Sequence, residues 1–180
     1  VESPIAEDLY GVGTIAKIVK ILKMPDGTTT AILQGRKRFA LLDLMTTDPL
    51  LEGVVEPLSY EQPENKLEFE AIISSILDMS KQIIRLSPNI PSEAIVMLKN
   101  ISNPSFLLNF IASNLGIKVK IKQQILEISE LRAKADMVLK NMDSELQLLK
   151  LKDKIENKVR GDIQKQQRDY FLNQQLKTIQ

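Results

Sequence analysis

The chain has no cysteine, no histidine and no tryptophan in its 180 residues. Without cysteine there can be no disulfide and no thiolate metal ligand. With histidine absent as well, neither a zinc site of the usual composition nor a Ser-His or Cys-His nucleophile pair can be built within it. Charge of one sign is scarce too: the formal net charge is +1, with the N-terminal third slightly acidic and the C-terminal third slightly basic. A surface that tracks phosphates usually shows as a concentrated basic face, so nucleic acid is not an expected partner. No apolar run approaches the length that crosses a bilayer, and no charged segment followed by an apolar one opens the chain. The expectation is a soluble, cytoplasmic protein with no membrane partner. The phosphate-loop spacing Gly-x-x-x-x-Gly-Lys-Ser/Thr is missing as well.

What is present can fold. Hydrophobic residues make up 43%, an ordinary share for a globular protein, and the length suits one good-sized domain or two small ones. The chain opens on Val1 rather than Met, with strand-like sequence arriving almost at once, which suggests a piece of a longer protein.

Residues 12 to 23 are dense in β-branched side chains and run into Pro25-Asp26-Gly27, turn chemistry that predicts a hairpin returning over Thr28 to Gln34. Gly35 closes that strand, and Arg36 to Leu44 and Gly53 to Tyr60 read as two more, giving a four-stranded meander. So small a sheet with so much Val, Ile and Leu needs further strands or a second layer. Pro63 fits the first position of a helix carrying Phe69, Ile72, Ile73, Ile76, Leu77, Ile83 and Ile84, stopped by Ser87-Pro88. A second helix is expected from about Pro91, presenting Ile95, Leu98 and Ile101. A third is expected from Asn103-Pro104 to Leu115, with Gly116 in the left-handed closing position. Ile117 to Lys122 alternates like a strand, but a lone strand among helices has no partner, and a short helix running on to Ile128 is the preferred reading.

From Ser129 the pattern is one long helix. Leu131, Ala135, Val138 and Met142 follow at 4-3-4 spacing, Leu146 and Leu149 come after a stutter, and Leu151, Ile155, Val159 and Ile163 recur every four residues. The apolar line therefore drifts around the helix, and different partners must cover different stretches. Glu130 with Lys134, Asp136 with Lys140 and Glu156 with Arg160 have i,i+4 spacing for ion pairs. Roughly 50 residues at about 1.5 Å rise would reach about 75 Å, the length of a connector. Gly161 weakens the helix by about 1 kcal/mol relative to alanine and is a candidate hinge.

Few residues suggest chemistry. Gly11-Val12-Gly13-Thr14-Ile15-Ala16 matches a dinucleotide fingerprint letter for letter, yet it precedes a β-branched run where that fingerprint should open a helix. Ser80-Lys81 reads as an ordinary solvent-facing pair on an amphipathic helix. Arg36-Lys37-Arg38 reads chiefly as a solvated turn and edge. Arg36 and Arg38 are the remaining candidates there for contact with an acidic segment of a client or neighbouring subunit. Tyr170, Phe171 and Leu172 are consecutive on a helix and point about 100° apart, so they cannot all face one stripe. With Leu176 one turn on, they are candidate contacts to protein clients or to a neighbouring domain. No catalytic, cofactor-binding or metal-ligating residue is identified.

The last sixteen residues, Lys165 to Gln180, hold no helix breaker. Through Gln167, Arg168, Tyr170, Leu172, Gln175, Lys177, Ile179 and Gln180 they resemble the helix that precedes the ATPase module in Lon proteases, with Glu145, Leu146, Leu149, Ile155 and Val159 in register upstream. Leu9-Tyr10-x-Val12-Gly13-Thr14-x-Ala16 and Pro25-Asp26-Gly27-Thr28 are similar to that family's β domain, and Pro104, Leu107, Ile111 and Ala112 to one helix of its bundle. Arg132-Ala133 departs from the family's frequent Arg-Leu.

The resemblance implies an α+β fold: a partial antiparallel β domain of the PUA-like Lon N-terminal type over residues 1–61, a helical bundle over 62–128, and a long coiled-coil-like helix over 129–180. It implies substrate recognition and hexamer assembly for an ATP-dependent serine protease that degrades misfolded and selected proteins. ATP and Mg, and the Ser-Lys peptidase, would belong to parts of the protein outside this stretch, and the stretch itself would bind no cofactor. Two other readings stand beside it: a coiled-coil scaffold or adaptor, and an RNA-binding β module.

Overall fold

Pro25-Asp26-Gly27 makes the expected turn in the computed structural model, which describes residues 5–46 and 50–179, with side chains as far as Gln175. Gly27 takes φ of 86°, and Asp26 Oδ1 accepts hydrogen bonds from the Thr28 backbone N–H at 2.9 Å and from Thr28 Oγ1 at 2.7 Å. The left-handed backbone suits glycine and the short carboxylate locks the turn. A 3-10 turn over Ala6–Asp8 precedes β1 (Val12–Lys23), which pairs antiparallel with β2 (Thr29–Thr46); β2 pairs in turn with β3 (Glu52–Leu58).

There are thus three strands among the described residues where four were expected. Gly35 does not end a strand: Ile15 pairs with Lys37 and Ala16 with Gly35, so Arg36 is an extra residue in a bulge and β2 runs on through it. A bulge absorbs one residue and bends the strand without breaking the ladder. By this register Thr14, Ala16, Ile18, Ile21, Ala31, Leu33 and Arg38 share one face, and Ile15, Lys17, Lys20, Ile32, Gln34 and Lys37 share the other.

The helices follow in sequence: α1 (Lys66–Leu86), α2 (Ala94–Lys99), α3 (Pro104–Asn114), α4 (Val119–Glu127) and α5 (Leu131–Ile179). α1 starts later than Pro63 implied, because Asn65 is its cap and accepts from the Glu68 N–H at 3.2 Å. Asn103 caps α3 in the same way, accepting from the Phe106 N–H at 3.0 Å, with Pro104 in the first turn as expected. Gly116 does not adopt the left-handed closing conformation; its N–H instead donates to Glu145 Oε2 on α5 at 3.0 Å. Ile117 to Lys122 is helical from Val119, so the alternation there did not make a strand.

Every buried hydrophobic side chain among the described residues lies between Phe69 and Leu146. Ile76 of α1, Leu107 and Leu108 of α3, Ile125 of α4 and Ala135, Val138 and Met142 of α5 are at most 1% exposed and form one continuous core. The first third of α5 is therefore a member of the helical layer. From Lys150 to Gln175 the same helix is exposed on all sides. The change falls past the stutter in its apolar spacing: Leu131 to Leu146 face the core, while Leu151, Ile155, Val159 and Ile163 are 49–54% exposed.

The expected pairing of charges along α5 is replaced by other contacts near its start. The Glu130 carboxylate accepts from the Arg132 and Ala133 backbone N–H groups, at 3.2 and 2.9 Å, and so caps α5. Asp136 pairs with Arg132, which also reaches Glu68 of α1 at 2.8 Å. Ser80, expected to face solvent, is buried and donates to the Ile76 carbonyl at 2.8 Å.

Candidate functional site

Arg38 is the only buried residue in the described part of the sheet. It sits on β2 two residues past the Arg36 bulge, on the face turned to the helices, and its guanidinium crosses to the end of α4. Nη1 donates to the Leu126 carbonyl at 2.6 Å and the Ile128 carbonyl at 2.9 Å, and Nη2 to the Ser59 carbonyl at 3.0 Å. The last carbonyls of a helix have no partner within it and carry partial negative charge, so a guanidinium is well matched to them. The expectation that Arg38 contacts an acidic client or subunit segment is therefore corrected: at 3% exposure its donors are spent inside the chain, except Nε, which is buried without a partner. Arg36, by contrast, is exposed at the bulge.

The guanidinium also lies over the Tyr60 ring, 4.0 Å from its centroid. Tyr60 belongs to the link between β3 and α1. Its neighbour Glu61 is tied to the start of α5 by two backbone bonds, Glu61 N–H to the Ser129 carbonyl at 3.0 Å and Leu131 N–H to the Glu61 carbonyl at 3.2 Å. The Tyr60 hydroxyl accepts from Asn109 Nδ2 of α3 at 2.9 Å and from Lys134 Nζ of α5 at 3.0 Å. Lys134 is wholly buried, with Nζ 4.7 Å from the Tyr60 centroid.

One aromatic ring thus holds two buried basic side chains, and no carboxylate pairs with either among the described residues. A ring face attracts a desolvated cation by about 2 kcal/mol, far less than burying an ammonium costs without a counter-ion. Burial, and then the Arg38 guanidinium beside it, bring the Lys134 ammonium down to about 7. The arrangement joins sheet, link, α3, α4 and α5 at one point. Sequence reading missed Tyr60, Asn109 and Lys134. Lys134 had a signal, since it falls in the apolar line of α5 between Leu131 and Val138.

The remaining predicted residues lie far along α5. Tyr170, Phe171 and Leu172 are 68%, 61% and 50% exposed, and the Tyr170 hydroxyl accepts from Gln174 Nε2 at 3.0 Å. The Leu176 side chain lies outside the described residues. Gly161 lies within the unbroken helix, and a Cβ there would meet nothing within 4 Å. Gly11 and Gly13 stand at the head of β1, with no helix after them. No helix among the described residues is long and apolar enough to cross a membrane.

Residues 1–144 match the model of a family described as the ATP-dependent protease La (LON) substrate-binding domain. Among curated relatives, the Lon protease of Flavobacterium johnsoniae is 48% identical over 180 residues, which cover 99% of this chain and 22% of that protein. The Lon protease of Porphyromonas gingivalis is 44% identical over 183 positions, again 22% of its length. This chain therefore spans about a fifth of the curated relatives it matches. Among solved structures, the N-terminal domain of a Mycobacterium avium complex Lon protease superposes with a TM-score of 0.63 at 20% identity, over 78% of this chain and 75% of that one. The Lon N-terminal domain protein of Xanthomonas campestris gives 0.53 at 16% identity, over 76% and 70%. These two likenesses establish the mixed α+β fold.

Proposed function

Because the chain belongs to the Lon protease family and carries its substrate-binding domain, we propose that it receives unfolded or tagged protein clients through apolar surface and passes them along α5 toward an ATPase. The whole protein is then a cytoplasmic, ATP- and Mg-dependent serine protease that unfolds, threads and cuts misfolded and selected proteins as a hexamer. This stretch selects the client and helps assemble the ring. It binds no nucleotide and cuts no peptide itself.

The observation that carries this reading is where the apolar surface is left open. The helical core is closed, whereas Ile18, Ile21 and Leu33 on one face of the sheet and Tyr170, Phe171 and Leu172 on α5 are at least 50% exposed. Contiguous exposed apolar side chains mark interaction surfaces. A permanently unfolded client, titrated against its folded parent at low and moderate salt, tests the reading. Binding of the unfolded form alone, little changed by salt and weakened by Ile21→Ser and by Phe171→Ser, is expected. Equal affinity for both forms, or binding lost as salt rises, overturns it, the latter pointing to charge or to nucleic acid.

A further inference from the structure

We propose that the Arg38–Tyr60–Lys134 cluster is a latch between the sheet and the helical layer, closed while Lys134 is uncharged and released when Lys134 takes up a proton. The sheet contributes no fully buried hydrophobic side chain among the described residues, and polar bonds help to fasten it. Among these bonds are those of Arg38 to the end of α4, the Gln123 Nε2 bond to the Val12 carbonyl at 2.9 Å, and the Glu61 backbone pairing with Ser129 and Leu131. The helical core has its own apolar seal and does not depend on them. A change of one charge can therefore part the two layers while the core stays shut.

The groups around Lys134 leave an ammonium with nothing to balance it. Facing it are Arg38 from β2, Tyr60 from the link, and Asn109 of α3 behind the Tyr60 hydroxyl. Of the acids on neighbouring elements, Glu68 of α1 is engaged by Arg132, Glu130 caps α5, Glu127 of α4 accepts from Gln123 Nε2 at 2.8 Å, and Glu61 is exposed. A neutral amine keeps an N–H for the Tyr60 hydroxyl and removes the repulsion with Arg38. Parting the layers returns Lys134 to water, where it is a normal ammonium.

Between about pH 7 and the ordinary lysine range the closed form holds one proton fewer than the released form. Closing therefore strengthens as pH rises through that window. Below it the latch is at its weakest and no longer changes.

Hydrogen exchange in this chain reads the latch directly. With intrinsic exchange rates corrected for pH, protection of the Glu61 and Leu131 amides is expected to rise about tenfold per pH unit from pH 7 to 9, while the Ile76 amide in the core stays constant. Lys134→Met should hold the same two amides closed at every pH. A flat profile in the parent, a rise retained in Lys134→Met, or a core amide that rises in step overturns the proposal. Should Lys134→Met fail to fold, the NMR titration of the Lys134 side chain in the parent still decides, because a midpoint in the ordinary lysine range rules the latch out.

Discussion

Phe39 lies across Gly13: the two are paired on β2 and β1, and a Cβ built on Gly13 would come within 2.5 Å of the ring Cζ. An aromatic ring over a strand glycine covers backbone that would otherwise stand bare. Gly53 is crowded differently, since a Cβ there would meet the Asp43 carbonyl oxygen at 2.6 Å. A ring can swing aside but a paired strand's backbone cannot. Gly53→Ala should therefore destabilise more than Gly13→Ala, both within the range of about 1–3 kcal/mol typical of overpacking. In urea denaturation, Phe39→Ala added to Gly13→Ala should cost less than the sum of the two single changes. Strict additivity would mean that the ring and the glycine are not coupled.

The same relationship explains why Gly11-x-Gly13 misleads as a motif. The glycine is required by a side chain 26 positions away in sequence, and no local spacing reports that. Local chemistry was read well where it acts locally: the Pro25-Asp26-Gly27 turn, the Asn103-Pro104 cap and the drift of the apolar line along α5 all follow from neighbours within one turn. The Arg36 bulge, the merging of two expected strands and the burial of Arg38 are set by cross-strand register and by carbonyls at the end of α4. Lys134 was readable in principle as a lysine inside an apolar stripe. Its partner Tyr60 was not, because the link that carries it reaches α5 only in three dimensions.

Ile76 and Ile155 look alike in sequence, each in an apolar series at helical spacing. Ile76 is fully buried and Ile155 is 53% exposed. Ile76→Ala should cost about 2–5 kcal/mol by lost transfer energy and cavity formation, whereas Ile155→Ala should stay within about 0.5 kcal/mol. Chemical denaturation of this chain measures both. A large loss at Ile155 would mean that the outer part of α5 is covered in solution.

Asn103 holds the first turn of α3 through its bond to the Phe106 N–H, and α3 supplies Leu107 and Leu108 to the core. Asn103→Ala should therefore cost about 1 kcal/mol, and Asn103→Asp should be close to neutral because aspartate caps equally well. Thermal unfolding of the two variants side by side checks this. Equal losses would show that the side-chain oxygen is not what matters.

The outer part of α5 tests whether the helix transmits force or merely tethers. Gly161 sits within 49 unbroken helical residues with open space where a side chain would go, so alanine fits and should firm the helix by up to about 1 kcal/mol. Proline at the same place removes one backbone hydrogen bond and clashes with the preceding turn, costing about 3 kcal/mol or more. Since the core ends near Leu146, that damage is expected to stay local and leave the sheet and the helical core folded. In the whole protease, Gly161→Pro should lose ATP-driven degradation of a folded client while still cutting a short unstructured peptide, and Gly161→Ala should retain both. Circular dichroism of the isolated chain provides the control, with helix content lowered only in the proline variant. If Gly161→Pro degrades the folded client at the parent rate, α5 is a slack tether, and its length serves reach rather than coupling.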